Sequence, residues 1–153
     1  MTIEPLWVLL LAAALLVLVL VWRKFFRRGT PLEQAIAEIS FEKIEKLVIP
    51  SADEGEIQID QLLLTSQGLL VLEIKDVQGT VFGSDKMSDW AVIANDRRYT
   101  FSNPQPALYD RIAAVRQIIR EVPVEGRVVF LDGAEFTKGV PSLACSLEQL
   151  VSE

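Results

Sequence analysis

Residues Glu56–Lys75, EIQIDQLLLTSQGLLVLEIK, decide how the chain folds. They read as two apolar strands joined by a polar turn, with ionisable residues where a core strand should have none. Asp60 lies on the first strand, and Glu73 and Lys75 lie on the second. Burying such side chains is costly unless they are paired or hold a metal. Alternation places Glu56, Gln58, Asp60, Leu62 and Leu64 on one face of the first strand. Leu69, Val71, Glu73 and Lys75 share a face of the second. With Thr65–Gly68 as the loop, or only Ser66–Gln67 at the tip, Leu64 sits opposite Leu69. The same register carries Asp60 opposite Glu73, with their Cβ atoms roughly 4.5–5.5 Å apart. Lys75 follows one step along on that face.

Two carboxylates so close repel unless positive charge stands between them. A divalent cation is one solution, and hard oxygen ligands suit Mg²⁺ or Mn²⁺. Held there, it would polarise a phosphoryl oxygen, with Lys75 orienting water or stabilising charge on phosphate. The other reading is a solvated end of the sheet, where Lys75 simply bridges Asp60 or Glu73. Both readings stand at this level.

Working outward towards the N-terminus, Gly29–Thr30–Pro31 opens a helix. Thr30 and Glu33 form a capping box, Pro31 suits the first turn, and Leu32, Ile36 and Ile39 give one apolar stripe. Ile44–Ile49 is a short strand stopped by Pro50, and Ser51–Gly55 an acidic turn. Before all of this, Leu6–Trp22 is an uncharged apolar run with tryptophan near both ends, about 26 Å long as a helix. Arg23, Lys24, Arg27 and Arg28 follow it. A cleaved signal peptide has the opposite order, with basic residues first. The expectation is one transmembrane helix across the inner, cytoplasmic membrane. The N-terminus is then outside and the remainder inside, by the positive-inside rule. Residues 1–30 form the anchor with its basic flank and 31–153 the domain, joined by a linker-like Phe26–Thr30.

Beyond the hairpin, Asp76–Gly79 turns and Thr80–Phe82 resumes an extended pattern before a polar loop, Gly83–Asp89. Trp90–Ile93 and Tyr99–Phe101 form a second hairpin with Asn95–Asp96 at its tip. Asn103–Pro104 and Pro106 introduce a helix reaching about Glu121, with Leu108, Ile112, Val115 and Ile119 as its core stripe and Pro123 beyond its end. Arg111, Arg116 and Arg120 read as its solvated face, and Arg97 and Arg98 as a solvated hairpin end. Val128–Leu131 is a buried strand, Val140–Cys145 a last short one, and Ser146–Gln149 a capping box for a C-terminal helix. Cys145 reads as an inert packed thiol. The order is that of an α/β fold, a mixed sheet flanked by helices.

Composition removes several functions. With no histidine there is no His-based zinc site, no Ser-His-Asp triad and no Cys-His pair. One cysteine makes no internal disulfide. The net charge is −6, and since residues 1–30 carry +3, residues 31–153 carry −9. That balance opposes strong non-specific nucleic-acid binding, which rests on basic surface. It leaves room for a carboxylate site that meets phosphate through a metal.

Gln58-Ile-Asp60, Gly68, Glu73-Ile-Lys75 with Gly79, Trp90 and Asn103–Pro104 together resemble the nuclease-related domain, NERD. That family looks like a branch of the PD-(D/E)XK, restriction-endonuclease-like superfamily, and the likeness covers about residues 31–150. It implies a Mg²⁺- or Mn²⁺-dependent phosphodiesterase acting on DNA or RNA, DNA before RNA. It further implies Asp60 and Glu73 as metal ligands, Lys75 as the catalytic lysine, and Glu33 and Asn103 as accessory positions. Ala107 stands where such sequences usually carry glutamine. The alternative is a non-catalytic membrane-anchored binding or scaffold module that keeps the fold.

Overall fold

The apolar run at the start forms α1, Glu4–Phe26, in the computed structural model, which describes residues 4–26, 29–51 and 53–152. By length and composition, Pro5–Phe26 is long and apolar enough to cross a membrane. The helix runs on through Arg23 and Lys24, while Arg27 and Arg28 of the basic flank lie outside the described residues. The chain divides into two compact units, Met1–Gln34 and Ala35–Glu153. α2, Pro31–Ile39, begins where the capping box places it. The Glu33 amide donates to Thr30 Oγ1 (3.2 Å) and the Thr30 amide to Glu33 Oε2 (3.0 Å).

The second unit contains two mixed sheets, whereas the sequence reading expected one. The first holds five strands in the order β1-β2-β3-β7-β9. These are β1 (Ser40–Pro50), β2 (Glu56–Thr65), β3 (Gly68–Lys75), β7 (Val124–Phe130) and β9 (Ala144–Ser146). β1, β2 and β3 run antiparallel, and β3, β7 and β9 parallel. The second sheet holds β4 (Gly79–Phe82), β5 (Asp89–Ala94), β6 (Arg97–Ser102) and β8 (Ala134–Phe136), in the order β6-β5-β4-β8. β8 is too short to give a period, and Val140–Leu143 is not strand, so the last strand starts later than expected.

Both hairpins follow their turn chemistry. Thr65 pairs with Gly68 across Ser66–Gln67, and Gly68 has φ 132°; a Cβ there would meet the Pro123 carbonyl at 2.4 Å. Asn95 and Asp96 both take positive φ, 49° and 63°, as a primed two-residue turn requires.

α3 spans Gln105–Ile118, shorter than expected. The chain turns extended at Ile119 (φ −118°, ψ 103°), four residues before Pro123, whose carbonyl accepts from the Leu69 amide at 2.9 Å as β7 begins. Ile119 is therefore exposed and not part of the core stripe, whereas Leu108, Ile112 and Val115 are buried. Beneath the helix, β7 carries Gly126, where a Cβ would come within 2.6 Å of Ile112 Cδ1. α4, Leu147–Ser152, starts from the Ser146–Gln149 capping box. The core joins the two sheets through aromatics. Fully buried Trp90 stacks on Phe130 (centroids 6.3 Å apart), and Phe130 meets Phe136 edge-on at 5.0 Å.

Candidate active site at the β2–β3 fork

The β2–β3 ladder holds from Thr65–Gly68 to Gln61–Leu72 and stops there. Beyond that pair β2 bonds only β1, and β3 only β7, from Glu73–Val128 to Lys75–Phe130. The strands fork one step before Asp60 and Glu73, whose register is the expected one but whose backbones are unpaired with each other. On its other side Asp60 lies between the pairs Glu45–Gln61 and Leu47–Ile59, beside Lys46 at φ 53°. A left-handed lysine is uncommon and stores strain at this point of the sheet.

The side chains at the fork are unequal. Glu73 is largely covered, its side chain 14% exposed, and both of its oxygens face cations. Lys75 Nζ lies 3.4 Å from Oε1, and Arg111 Nη1 donates to Oε2 at 3.2 Å. Lys75 also sits over the Phe101 ring, 5.8 Å from its centroid. Asp60 is exposed and makes no ion pair with any described residue. Lys75 thus does bridge Glu73, one of its two sequence-level alternatives.

Arg111 is not part of a solvated face, contrary to what the sequence suggests. From α3 it reaches into the fork, donating from Nε to the Gln58 carbonyl at 2.9 Å and from Nη1 to Glu73. It ties β2 to β3 where the ladder no longer does. A signal was present: Leu108, Arg111, Ile112 and Val115 follow the i, i+3, i+4, i+7 spacing of one helical face. An arginine within a core stripe asks for a buried partner. Arg116 is also bonded, donating to the Val124 carbonyl at 2.8 Å.

The accessory positions have other employment. The Glu33 carboxylate closes the α2 capping box. Asn103 is buried and ties down the loop before β5. Its Nδ2 donates to the Asp85 and Met87 carbonyls (3.3 and 2.9 Å) and its Oδ1 accepts from the Gln105 amide (2.9 Å). Gln105, also buried, donates to Asp85 Oδ1 at 2.8 Å and accepts from the Leu143 amide at 2.8 Å. The Ser142 amide donates to Asp85 Oδ1 at 2.8 Å and its hydroxyl to Oδ2. These donors, the Ser142 amide first, then its hydroxyl and Gln105, lower the Asp85 carboxyl from 3.8 to about 2.

The fork suits a hard divalent cation in donor type, with two carboxylates on neighbouring strands and the lone pairs of Asp60 open to solvent. Among the described residues no three His, Cys, Asp or Glu side chains gather as a metal group. Mg²⁺ accepts such a sparse set, since it commonly takes one or two carboxylates and completes its shell with water and phosphate oxygens.

A mixed α/β domain thus brings Glu73 and Lys75 together on β3, with Asp60 on the neighbouring strand β2. The chain belongs to the nuclease-related domain family, whose model matches residues 29–131, and the PD-(D/E)XK assignment is consistent with this. A Bacillus anthracis protein described as uncharacterised is 30% identical over 64 residues, which are 42% of this chain and 30% of that protein. The chain thus spans under a third of that relative's length. No solved structure matches.

Proposed function

We propose that the chain is a membrane-anchored, metal-dependent nuclease that hydrolyses phosphodiester bonds, in DNA before RNA. What supports this is the Glu73–Lys75 pair on β3 at the fork, with Asp60 on β2 in register one step past the last pair, in a chain of the nuclease-related family. Asp60 and Glu73 would hold Mg²⁺ or Mn²⁺, which supplies the charge that polarises a phosphoryl oxygen. Lys75, held between Glu73 and the Phe101 face, presents its ammonium to the reacting phosphate. There it orients the attacking water and stabilises the charge that develops in the transition state. α1 anchors the chain in the inner membrane through Leu6–Trp22, and the basic Arg23 and Lys24 at its end favour a cytoplasmic domain.

The competing reading is a non-catalytic anchored module, and the −9 charge of residues 31–153 favours it. The full chain in detergent, incubated with single- and double-stranded DNA and RNA, separates the two. Cleavage that needs Mg²⁺ or Mn²⁺ and is lost in Lys75→Ala supports the nuclease. Equal residual activity in both proteins, or no metal-dependent cleavage of any form, sinks it.

A further inference from the structure

We propose that Arg111 competes with the divalent cation for Glu73, so that cation binding requires the guanidinium to leave the fork. This rests on the cation site proposed above. Glu73 offers Oε2 to Arg111 and Oε1 to Lys75, so neither oxygen is free of a cation. A divalent ion needs a carboxylate oxygen at about 2.0–2.1 Å, which would place it close against a guanidinium 3.2 Å from the same oxygen. Like charges at that separation, at a carboxylate only 14% exposed, are poorly screened.

Charge balance points the same way. In formal charge the two carboxylates are balanced by Lys75 and Arg111, both of which pair with Glu73, so an added divalent cation leaves the fork with two positive charges. Two events relieve that excess: Arg111 moves away, or a phosphate arrives. The structure provides a place for the first. A groove of about 440 Å³ beside the fork is lined by Arg111 itself, by the small Ala107 and Ala114 one turn away on α3, and by Asp53, Glu56 and Asp110. That groove already includes Arg111 and offers carboxylates to a guanidinium released from Glu73. Arg111 is therefore a positioning residue. It holds Glu73 in place before the cation arrives and sets how tightly the cation binds.

Mn²⁺ binding to the full chain in detergent, without nucleic acid, tests this. The loss of the free-ion paramagnetic resonance signal is the readout, with circular dichroism as the check of folding. Arg111→Gln is expected to bind Mn²⁺ about tenfold more tightly than wild type, the loss of one charge-assisted competitor. Arg111→Lys, which cannot hold the Gln58 carbonyl and Glu73 together, is expected between the two and serves if the glutamine variant unfolds. Glu73→Gln should weaken binding in every background. Equal affinity of wild type and the Arg111 variants, with Glu73→Gln still weakening it, overturns the competition and leaves the cation site standing. Affinity indifferent to Glu73→Gln overturns both.

Discussion

Asp85 and Glu73 are both carboxylates with both oxygens engaged, yet their surroundings differ in kind. Asp85 is held by neutral donors, the Ser142 amide and hydroxyl and the Gln105 carboxamide. Glu73 is held by two cations, Lys75 and Arg111. Neutral donors cannot be replaced by a metal ion without being stranded, and four of the side-chain polar groups in that knot come from buried Asn103 and Gln105. Cations can be exchanged for another cation. The first arrangement is a fastening between the loop before β5, the start of α3 and the segment before β9, and the second is a replaceable charge.

The comparison would break first at Lys75. Lys75→Ala is expected to lower metal-dependent cleavage by about 100-fold or more with little change in melting temperature, because a charge aimed at the reacting phosphate is lost while the fold is not. A comparable fall in melting temperature would place Lys75 with the fastenings. The opposite signature is expected of Gln105→Ala. Losing its bonds to Asp85 and the Leu143 amide should cost about 1–3 kcal/mol in denaturant unfolding and leave cation affinity unchanged.

Acid sharpens the contrast further. The folded Asp85 carboxyl titrates near 2, below its unfolded value of 3.8, so its contribution to stability is present above about pH 4 and is lost as pH falls towards 2. Asp85→Asn should therefore flatten the loss of melting temperature across that window relative to wild type. The smallest effect is expected at Phe101. Phe101→Leu removes the ring beneath Lys75, worth about 0.5–1 kcal/mol, and should lower cleavage about two- to fivefold. An unchanged rate would mean that Glu73 alone places the ammonium.

Much of the fork was legible in the sequence, because strand period and a two-residue turn are local. Once Ser66–Gln67 is the tip, Asp60 and Glu73 must share a register, and Asn95–Asp96 fixes the second hairpin in the same way. The capping boxes at Thr30–Glu33 and Ser146–Gln149 are local too, and both form. What escaped was long-range. The ladder ends at Gln61–Leu72 while β3 continues along β7, and no spacing within the hairpin encodes that. Arg111 is 38 residues from Glu73, and its place in the core stripe was masked by reading three arginines as one face. The second sheet was hidden because β8 is three residues long and pairs with β4 far along the chain. Asp85 gave no signal either, since its partners Gln105 and Ser142 stand in two distant segments.

Gly126 turns this geometry into a tolerance. With no side chain at Gly126, Ile112 packs close over β7, on the same stretch of α3 that sends Arg111 to Glu73. A methyl added at Gly126 would lie 2.6 Å from Ile112 Cδ1, so the tip of that isoleucine must shift to admit it. The helix that carries Arg111 to Glu73 is thus bedded on a strand position that has no side chain of its own.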